Sequence, residues 1–221
     1  YCFGKTNFQE MTNLDKKTRN LLEDCSHIYR PKINNVHISN DGTIKWLLEM
    51  DDKSLIETVF IPQDKRGTIC ISSQVGCTLN CTFCNTGTQK LVRNLTTYEI
   101  LGQIFTVIDH LKDWPMSKTN RKVTNLVMMG MGEPLLNYEN VKKALKIVMS
   151  SNGLCISKRR ITMSTSGIVP MIEECGKDLD VNLAISLHAV NDKLRDKLVP
   201  INKKYNISTL IQACKKYPSL S

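Results

Sequence analysis

Apolar positions along the chain follow two different periods, and the switch between them divides it. Residues 1–35 read as a short helical lead-in, with Leu14, Leu21 and Leu22 among charges and a break near Pro31. Two runs then alternate like strands, 44–50 after the turn signal Asn40-Asp41-Gly42 and 55–61 after Asp51-Asp52-Lys53-Ser54. Together they predict a hairpin closed by Pro62. From Arg66 onward strand-like and helix-like segments take turns. A strand over 67–75 precedes a helix over 97–111, where Thr96 and Glu99 have capping-box spacing and Ile100, Ile104, Val107, Ile108 and Leu111 make one apolar stripe. A strand over 123–129 leads to a helix over 138–151 that turns Val141, Ala144, Leu145 and Val148 inward. A strand over 160–163, a short helix through Cys175, a strand over 181–185 and helices over 192–197 and 208–216 complete the series. This alternation predicts an α/β fold built on a parallel sheet or barrel.

The order has a consequence for chemistry. Four segments of unusual composition each follow a predicted strand directly: CTLNCTFC at 77–84, GMGEP at 130–134, STSG at 164–167 and SLH at 186–188. In a parallel sheet or barrel the C-terminal strand ends share one face, and active sites are built there. The four loops are therefore expected to converge on one site.

Composition narrows the class. The 221 residues are 41% hydrophobic, enough for a sizeable core. No stretch approaches the ~18 uncharged apolar residues of a membrane span, and the opening YCFGKTNFQE lacks the basic-then-apolar layout of a secretory signal. A soluble, cytoplasmic protein is expected. Residues 1–66 carry acidic and basic side chains in equal number, so the whole net charge of +9 falls on the later part. Clustered Lys and Arg attract phosphate backbones, although a basic balance is as common in proteins with no nucleic-acid partner. Lys158-Arg159-Arg160 and Lys203-Lys204 are read either as phosphate contacts or as solvated charged faces.

Nine cysteines, an odd number, fit a reducing compartment better than a disulfide framework. Cys2, Cys25, Cys155, Cys175 and Cys214 are isolated, and each is read as a small buried hydrophobe. Cys70, Cys77, Cys81 and Cys84 cluster, and three of them have the spacing C-x3-C-x2-C, which lets the thiolates of a short loop wrap one metal centre. Structural zinc takes four protein ligands, usually as two separated pairs; here Cys70 or His110 would have to supply the fourth. A ferredoxin-type carrier adds a fourth cysteine followed by Pro, whereas Asn85-Thr86-Gly87 stands here. A 4Fe–4S cluster on three cysteines would leave one iron open to chelate a small molecule.

The C-x3-C-x2-C spacing with Phe83 before its last cysteine resembles the signature of radical S-adenosylmethionine (SAM) enzymes. The longer strings ICISSQVGCTLNCTFCNTG, LVMMGMGEPLLNYENV, RRITMSTSGIVP and LAISLHAVNDKLRDKLVPINKKY, preceded by MTNLDKKTRNLL, DGTIKW and ETVFIP, resemble the RlmN/Cfr family of RNA adenosine methyltransferases over nearly the whole chain. The resemblance implies an α/β fold: a partial, TIM-like (β/α) radical SAM barrel over 66–221, incomplete at its C-terminus. Before it would come the tail of a helical RNA-binding domain over 1–35 and a β-hairpin extension over 36–65. The same resemblance implies a 4Fe–4S cluster on Cys77, Cys81 and Cys84, and SAM contacts from Gly132, Glu133, Ser164, Ser186, Leu187 and His188. Cys70 matches a resolving cysteine and Glu57 a proton acceptor. Each residue also has an ordinary reading: Gly130 and Gly132 as turn glycines, His188 as a packed ring, Cys70 as core and Glu57 as a solvated hairpin position.

Adenine C2 is an electron-poor sp² carbon that a SAM methyl cation does not alkylate directly. The family implies a route in which one SAM methylates an enzyme cysteine. A second SAM, cleaved reductively at the cluster, yields a 5′-deoxyadenosyl radical that activates the S-methyl group for addition to the base. A second cysteine then releases the product and a disulfide remains. The strings look more like the C2-methylating branch than the C8-methylating one. They imply adenosines of 23S ribosomal RNA and of tRNA as substrates, a flavodoxin or ferredoxin as electron donor, and a monomeric enzyme. The family's methyl-carrying cysteine and a further SAM-contacting Asn have no match among these residues, and the stretch from Arg66 on is shorter than the ~200 residues of a small closed barrel. A fragment is therefore expected, with Cys70 lacking its partner; the alternative reading is a remnant that binds cluster and SAM without methyl transfer.

Overall fold

Seven strands join into one sheet in the computed structural model of the chain, which describes residues 3–115 and 120–218. Strands β1 (Lys32–Ile38), β2 (Ile44–Glu49), β3 (Leu55–Gln63) and β4 (Arg66–Cys70) form an antiparallel meander. Beside the cysteine loop, β5 (Gln74–Val75) and β6 (Arg93–Asn94) make a separate two-stranded ladder. The main sheet continues in parallel from β4 to β7 (Asn125–Met128), β8 (Ile161–Thr165) and β9 (Asn182–Ile185). Alternation builds the meander as expected: Trp46 and Leu48 of β2 and Ile56, Thr58 and Phe60 of β3 are buried, while Glu57, Val59 and Ile61 stand on the other face.

Helices cover the buried face. After a peripheral α1 (Lys16–Cys25), α2 (Thr97–Leu111) opens on the expected capping box. The Thr96 N–H donates to the Glu99 carboxylate at 2.8 Å and the Glu99 N–H to the Thr96 hydroxyl at 3.4 Å. Its Gln103 bonds Thr58 and its His110 ring packs on Trp46, so α2 lies over β2 to β4. Helix α3 (Tyr138–Met149) packs beside α2, α4 (Val169–Leu179) beside α3, and α6 (Ile207–Lys216) beside α4. The short α5 (Asp192–Leu198) touches the cysteine loop instead, where Thr82 donates its N–H to the Leu198 carbonyl at 3.1 Å.

Register places the chemistry. Val59 lies opposite Cys70, Cys70 opposite Val127, and Val127 opposite Thr162. Side chains alternate along a strand, so Glu57, Cys70, Val127, Thr162 and Ser164 share the sheet face turned away from the helices, and all five are half-buried.

Several elements differ from the reading of the sequence. Helix α1 ends at Cys25, and β1 occupies 32–38, running past residue 35. Its sequence KINNVHI lacks apolar alternation and is mostly exposed; main-chain pairing to β2 holds it, through a bulge between Ile33 and Asn35. Strand β3 runs through Pro62, which sits opposite Gly67, so the hairpin extension is continuous with the barrel sheet. The strand expected over 67–75 stops at Cys70 because Gln103 takes both main-chain groups of Ser72, accepting from its N–H at 2.8 Å and donating to its carbonyl at 3.0 Å. Of the isolated cysteines, Cys175 is buried, Cys155 and Cys214 are half-buried, Cys25 is exposed, and Cys2 lies outside the described residues. Among the described residues no helix is long and apolar enough to cross a membrane.

Candidate active site

The C-terminal ends of the parallel strands open into a cleft of about 270 Å³. All three cysteines of the C-x3-C-x2-C loop line it. Gly132 and Glu133 reach it from the loop after β7, Ser164 and Ser166 from the end of β8, and Ser186 from the end of β9. The four loops singled out in the sequence thus share one cavity. A larger hollow of about 1230 Å³ between the N-terminal segment and α2, lined by Phe8, Tyr29, Phe105 and Trp114 among others, contains none of these groups.

Local main-chain bonds shape the cysteine loop. The Cys84 N–H donates to the Cys81 carbonyl at 3.1 Å and the Gly87 N–H to the Cys84 carbonyl at 3.0 Å, so Cys81 and Cys84 sit on one tight turn. Cys77 and Cys81 are buried and Cys84 half-buried. Burial pushes the Cys77 and Cys81 thiols up from their ordinary value, opposed at Cys81 by a hydrogen bond with the Ser166 side chain.

Two glycines in GMGEP are required by geometry. A Cβ on Gly130 would lie 2.7 Å from the Ile71 carbonyl, and Gly132 has φ +92° with Gln74 Cβ only 2.5 Å from where its own would be. The loop after β7 therefore packs directly on the chain leaving β4. Glu133 is almost wholly enclosed, and burial pushes its carboxyl up. Oε1 accepts from the Leu135 N–H at 3.2 Å and Oε2 from the Ser166 N–H at 2.8 Å, tying the β7 and β8 loops together.

The other expected site residues lie around the cleft rather than in its lining. Cys70, a free thiol, and Glu57 stand on the half-buried sheet face that also carries Ser164. The Glu57 carboxylate pairs with Lys45 Nζ at 2.8 Å. Leu187 offers its carbonyl to Arg195. His188, in the left-handed region at φ +57°, is exposed and lays its ring on Phe83 with centroids 3.9 Å apart. No disulfide links the described cysteines, all of which are free.

Kinship decides what kind of cleft this is. The family model of the Radical SAM superfamily matches residues 71–220. The chain belongs to the radical SAM superfamily. It is 54% identical over 218 residues to the dual-specificity RNA methyltransferase RlmN of Rhizorhabdus wittichii, covering 99% of this chain and 54% of that protein. It is likewise 54% identical to the dual-specificity RNA methyltransferase RlmN of Zymomonas mobilis, over 100% of this chain and 56% of that protein. A crystal structure of a radical SAM methyltransferase from Sphaerobacter thermophilus matches with a TM-score of 0.87 at 40% identity, over 96% of this chain and 62% of that one. The expected RlmN/Cfr kinship and radical SAM fold are borne out, and the chain spans about half the length of the curated relatives it matches.

Radical SAM kinship implies a 4Fe–4S cluster and SAM, and the donor set of the cleft fits them. Among the described residues no three His, Cys, Asp or Glu side chains converge as one metal ion requires. A four-iron cluster instead spreads its thiolates over separate irons. The two candidates for a fourth zinc ligand lie elsewhere, Cys70 outside the lining and His110 exposed in the last turn of α2, its ring against Trp46. Beyond the expected residues, the geometry adds Ser166 and, behind the lining, Arg195. Ser166 belongs to the STSG string and was within reach of a sequence argument. Arg195 sits in DKLRDKL, whose charges read as a solvated helix.

Proposed function

We propose that the protein to which these residues belong is a radical SAM methyltransferase acting on C2 of adenosine in 23S ribosomal RNA and in tRNA. In this reading Cys77, Cys81 and Cys84 hold the cluster, and Gly132, Glu133, Ser164, Ser186, Leu187 and His188 surround SAM. The observation that carries it is the convergence of four strand-end loops, one bearing three thiols, on a single cleft. When bound, the cluster and SAM supply radical chemistry, the reactivity that an electron-poor sp² carbon demands.

The chain's own residues bind, orient and hold protons. Three cysteines leave one iron of a four-iron cluster without a protein ligand. Gly132 lets its backbone come close to a ligand. Glu133 accepts one backbone N–H at each oxygen and a hydrogen bond from the Thr165 side chain, and of the roughly four lone-pair sites of a carboxylate one is left for an ammonium donor. Ser164 and Ser186 offer hydroxyls from adjacent strand ends. Cys70 as resolving thiol and Glu57 as proton acceptor have a common approach to a base lying against their shared sheet face, and Lys45 keeps the Glu57 carboxylate oriented. Residues 1–35 read as the tail of a helical RNA-binding domain and 36–65 as the extension that carries Glu57, with β1 crossing between them. Lys203 and Lys204 meet RNA phosphates, a flavodoxin or ferredoxin supplies electrons, and the enzyme works as a cytoplasmic monomer.

Anaerobic reconstitution with iron and sulfide tests the reading. The chain is expected to take up iron and sulfide in equal amounts and, under reduction, to release 5′-deoxyadenosine from SAM. Cys81→Ala abolishes cluster binding and Cys70→Ala leaves it intact. Tight zinc binding without iron–sulfur absorption would overturn the cluster assignment, and loss of the cluster in both variants would overturn the separate role of Cys70. Incorporation of labelled methyl from SAM into hypomethylated 23S ribosomal RNA by the whole gene product tests the substrate.

A further inference from the structure

Arg195, on α5, is fully buried and makes no ion pair among the described residues. All its partners are neutral oxygens. Nε donates to the Leu187 carbonyl at 3.1 Å, and Nη2 donates to the carbonyls of Ser166 at 2.7 Å and Ser186 at 3.3 Å. Nη1 donates to Asn202 Oδ1 at 2.8 Å. Asn202 is itself buried and aimed by its own donations to Asp192 at 2.9 Å and Asp196 at 2.7 Å. One side chain thus grips the loop after β8 once and the loop after β9 twice.

A buried cation is costly unless its donors are satisfied, and an apolar residue of similar volume fills the same space more cheaply. The arrangement makes sense for what the fork does. Five N–H donors in fixed directions can hold three carbonyls at set angles, which neither a lysine nor a leucine can do. The carbonyls it holds belong to tight turns. In the first, Glu133 accepts from the Ser166 N–H at 2.8 Å and Thr165 Oγ1 from the Gly167 N–H at 3.0 Å, which fixes the N–H side and leaves the Ser166 carbonyl to Arg195. Gly167 has φ +113° and His188 φ +57°, and within the second turn the Ala189 N–H reaches only back to the Leu187 carbonyl.

We propose that Arg195 is a positioning residue of the cleft: its guanidinium fork sets the strand-end turns after β8 and β9, and so the places of Ser166, Ser186 and His188 around bound SAM. This rests on the reading of the cleft as a SAM site. Arg195 touches neither cofactor nor substrate in this role.

Amide hydrogen exchange of the iron-free chain, paired with SAM binding to the reconstituted chain, tests it. Arg195→Lys keeps the charge and loses the fork. Exchange at the Ser166, Ser186 and Ala189 amides should speed up by about tenfold or more, with the strand amides of Leu126 and Ile161 and the iron uptake unchanged, and SAM should bind about tenfold more weakly. Unchanged exchange at the three turn amides overturns the proposal. So does equal loss of protection in the strands, which would make Arg195 a general support of the fold. Asn202→Ala keeps the residue and removes one acceptor, so a smaller acceleration of about threefold at the same amides is expected even if Arg195→Lys does not fold; its absence also overturns the clamp. Failure of the unmodified chain to take up iron counts against the cluster reading alone, and the exchange data still decide the clamp.

Discussion

Burial pushes the Cys70 thiol up to about 11, opposed only by a hydrogen bond with the Met129 backbone. A raised value means that the folded chain holds the proton more tightly than the unfolded one. The stabilisation is therefore complete below about pH 9 and is lost as pH rises through the shifted value. At neutral pH the thiolate fraction is about a hundredfold below that of an ordinary cysteine, and the thiolate is the nucleophile. A resolving role for Cys70 thus requires activation by the substrate complex, and until then the thiol resists alkylation and stray oxidation. Mass-spectrometric rates of iodoacetamide labelling should show Cys70 far slower than the exposed Cys25 near neutral pH, rising with an apparent value of about 11. Equal rates for the two at about pH 7.5 would contradict this account. At this scale legibility depended on whether a role leaves a mark on spacing. In the proposed reading Cys77, Cys81 and Cys84 reach one centre from a short loop, and a role of that kind leaves its mark on their intervals. Arg195 acts through main-chain carbonyls that only the fold brings together, and nothing in DKLRDKL separates it from its solvated neighbours.

Among the elements, α2 was legible for its stripe and its cap, yet its most consequential side chain interrupts the stripe. Buried Gln103 accepts from the Thr58 hydroxyl at 2.9 Å and holds both main-chain groups of Ser72. The freed Ser72 hydroxyl donates to the Glu57 carbonyl at 2.6 Å and accepts from the Met131 N–H at 2.9 Å. One helix residue so couples β3, β4 and the loop after β7, the carriers of Glu57, Cys70 and Glu133. Gln103→Leu matches the volume but orphans three buried groups, and at ~1–3 kcal/mol for each the loss of stability should be ~3 kcal/mol or more, read as a fall in the urea midpoint. Adding Thr58→Val removes one orphan and should recover ~1 kcal/mol of it. A single variant within ~0.5 kcal/mol of the unmodified chain would show that the clamp carries little. The same interaction explains why the predicted strand 67–75 ran too long, since its apolar pattern continues while its ladder has already ended at Cys70. Strand β1 escaped notice for the converse reason: its pairing is main-chain and its side chains face solvent, so no periodicity records it.

For the whole molecule, parallel strands create two unlike ends, and the basic segments fall on opposite ones. Lys158-Arg159-Arg160 immediately precede β8, at the end remote from the cleft, and Lys158 is paired with Asp180. Lys203 and Lys204 are exposed just beyond α5, whose last carbonyls, of Lys197 and Leu198, accept from Thr82 of the cysteine loop at 3.3 and 3.1 Å. The acids nearby, Asp192 and Asp196, do not cancel this charge, because exposed Lys193 and Lys197 stand beside them in addition to Lys203 and Lys204. An RNA presenting an adenosine to the cleft would therefore meet positive charge at this end first. Log affinity for a single strand falls against log salt with a slope of ~0.7 for every phosphate that a cation neutralises. Lys203→Glu and Lys204→Glu should each weaken binding of a ribosomal-RNA fragment and flatten that slope by about this amount, while Arg160→Glu at the far end leaves affinity and slope unchanged. If Arg160→Glu flattened the slope as much as Lys204→Glu, the RNA would have to lie across the N-terminal strand ends, remote from the cleft, and the proposed approach of the base would be wrong.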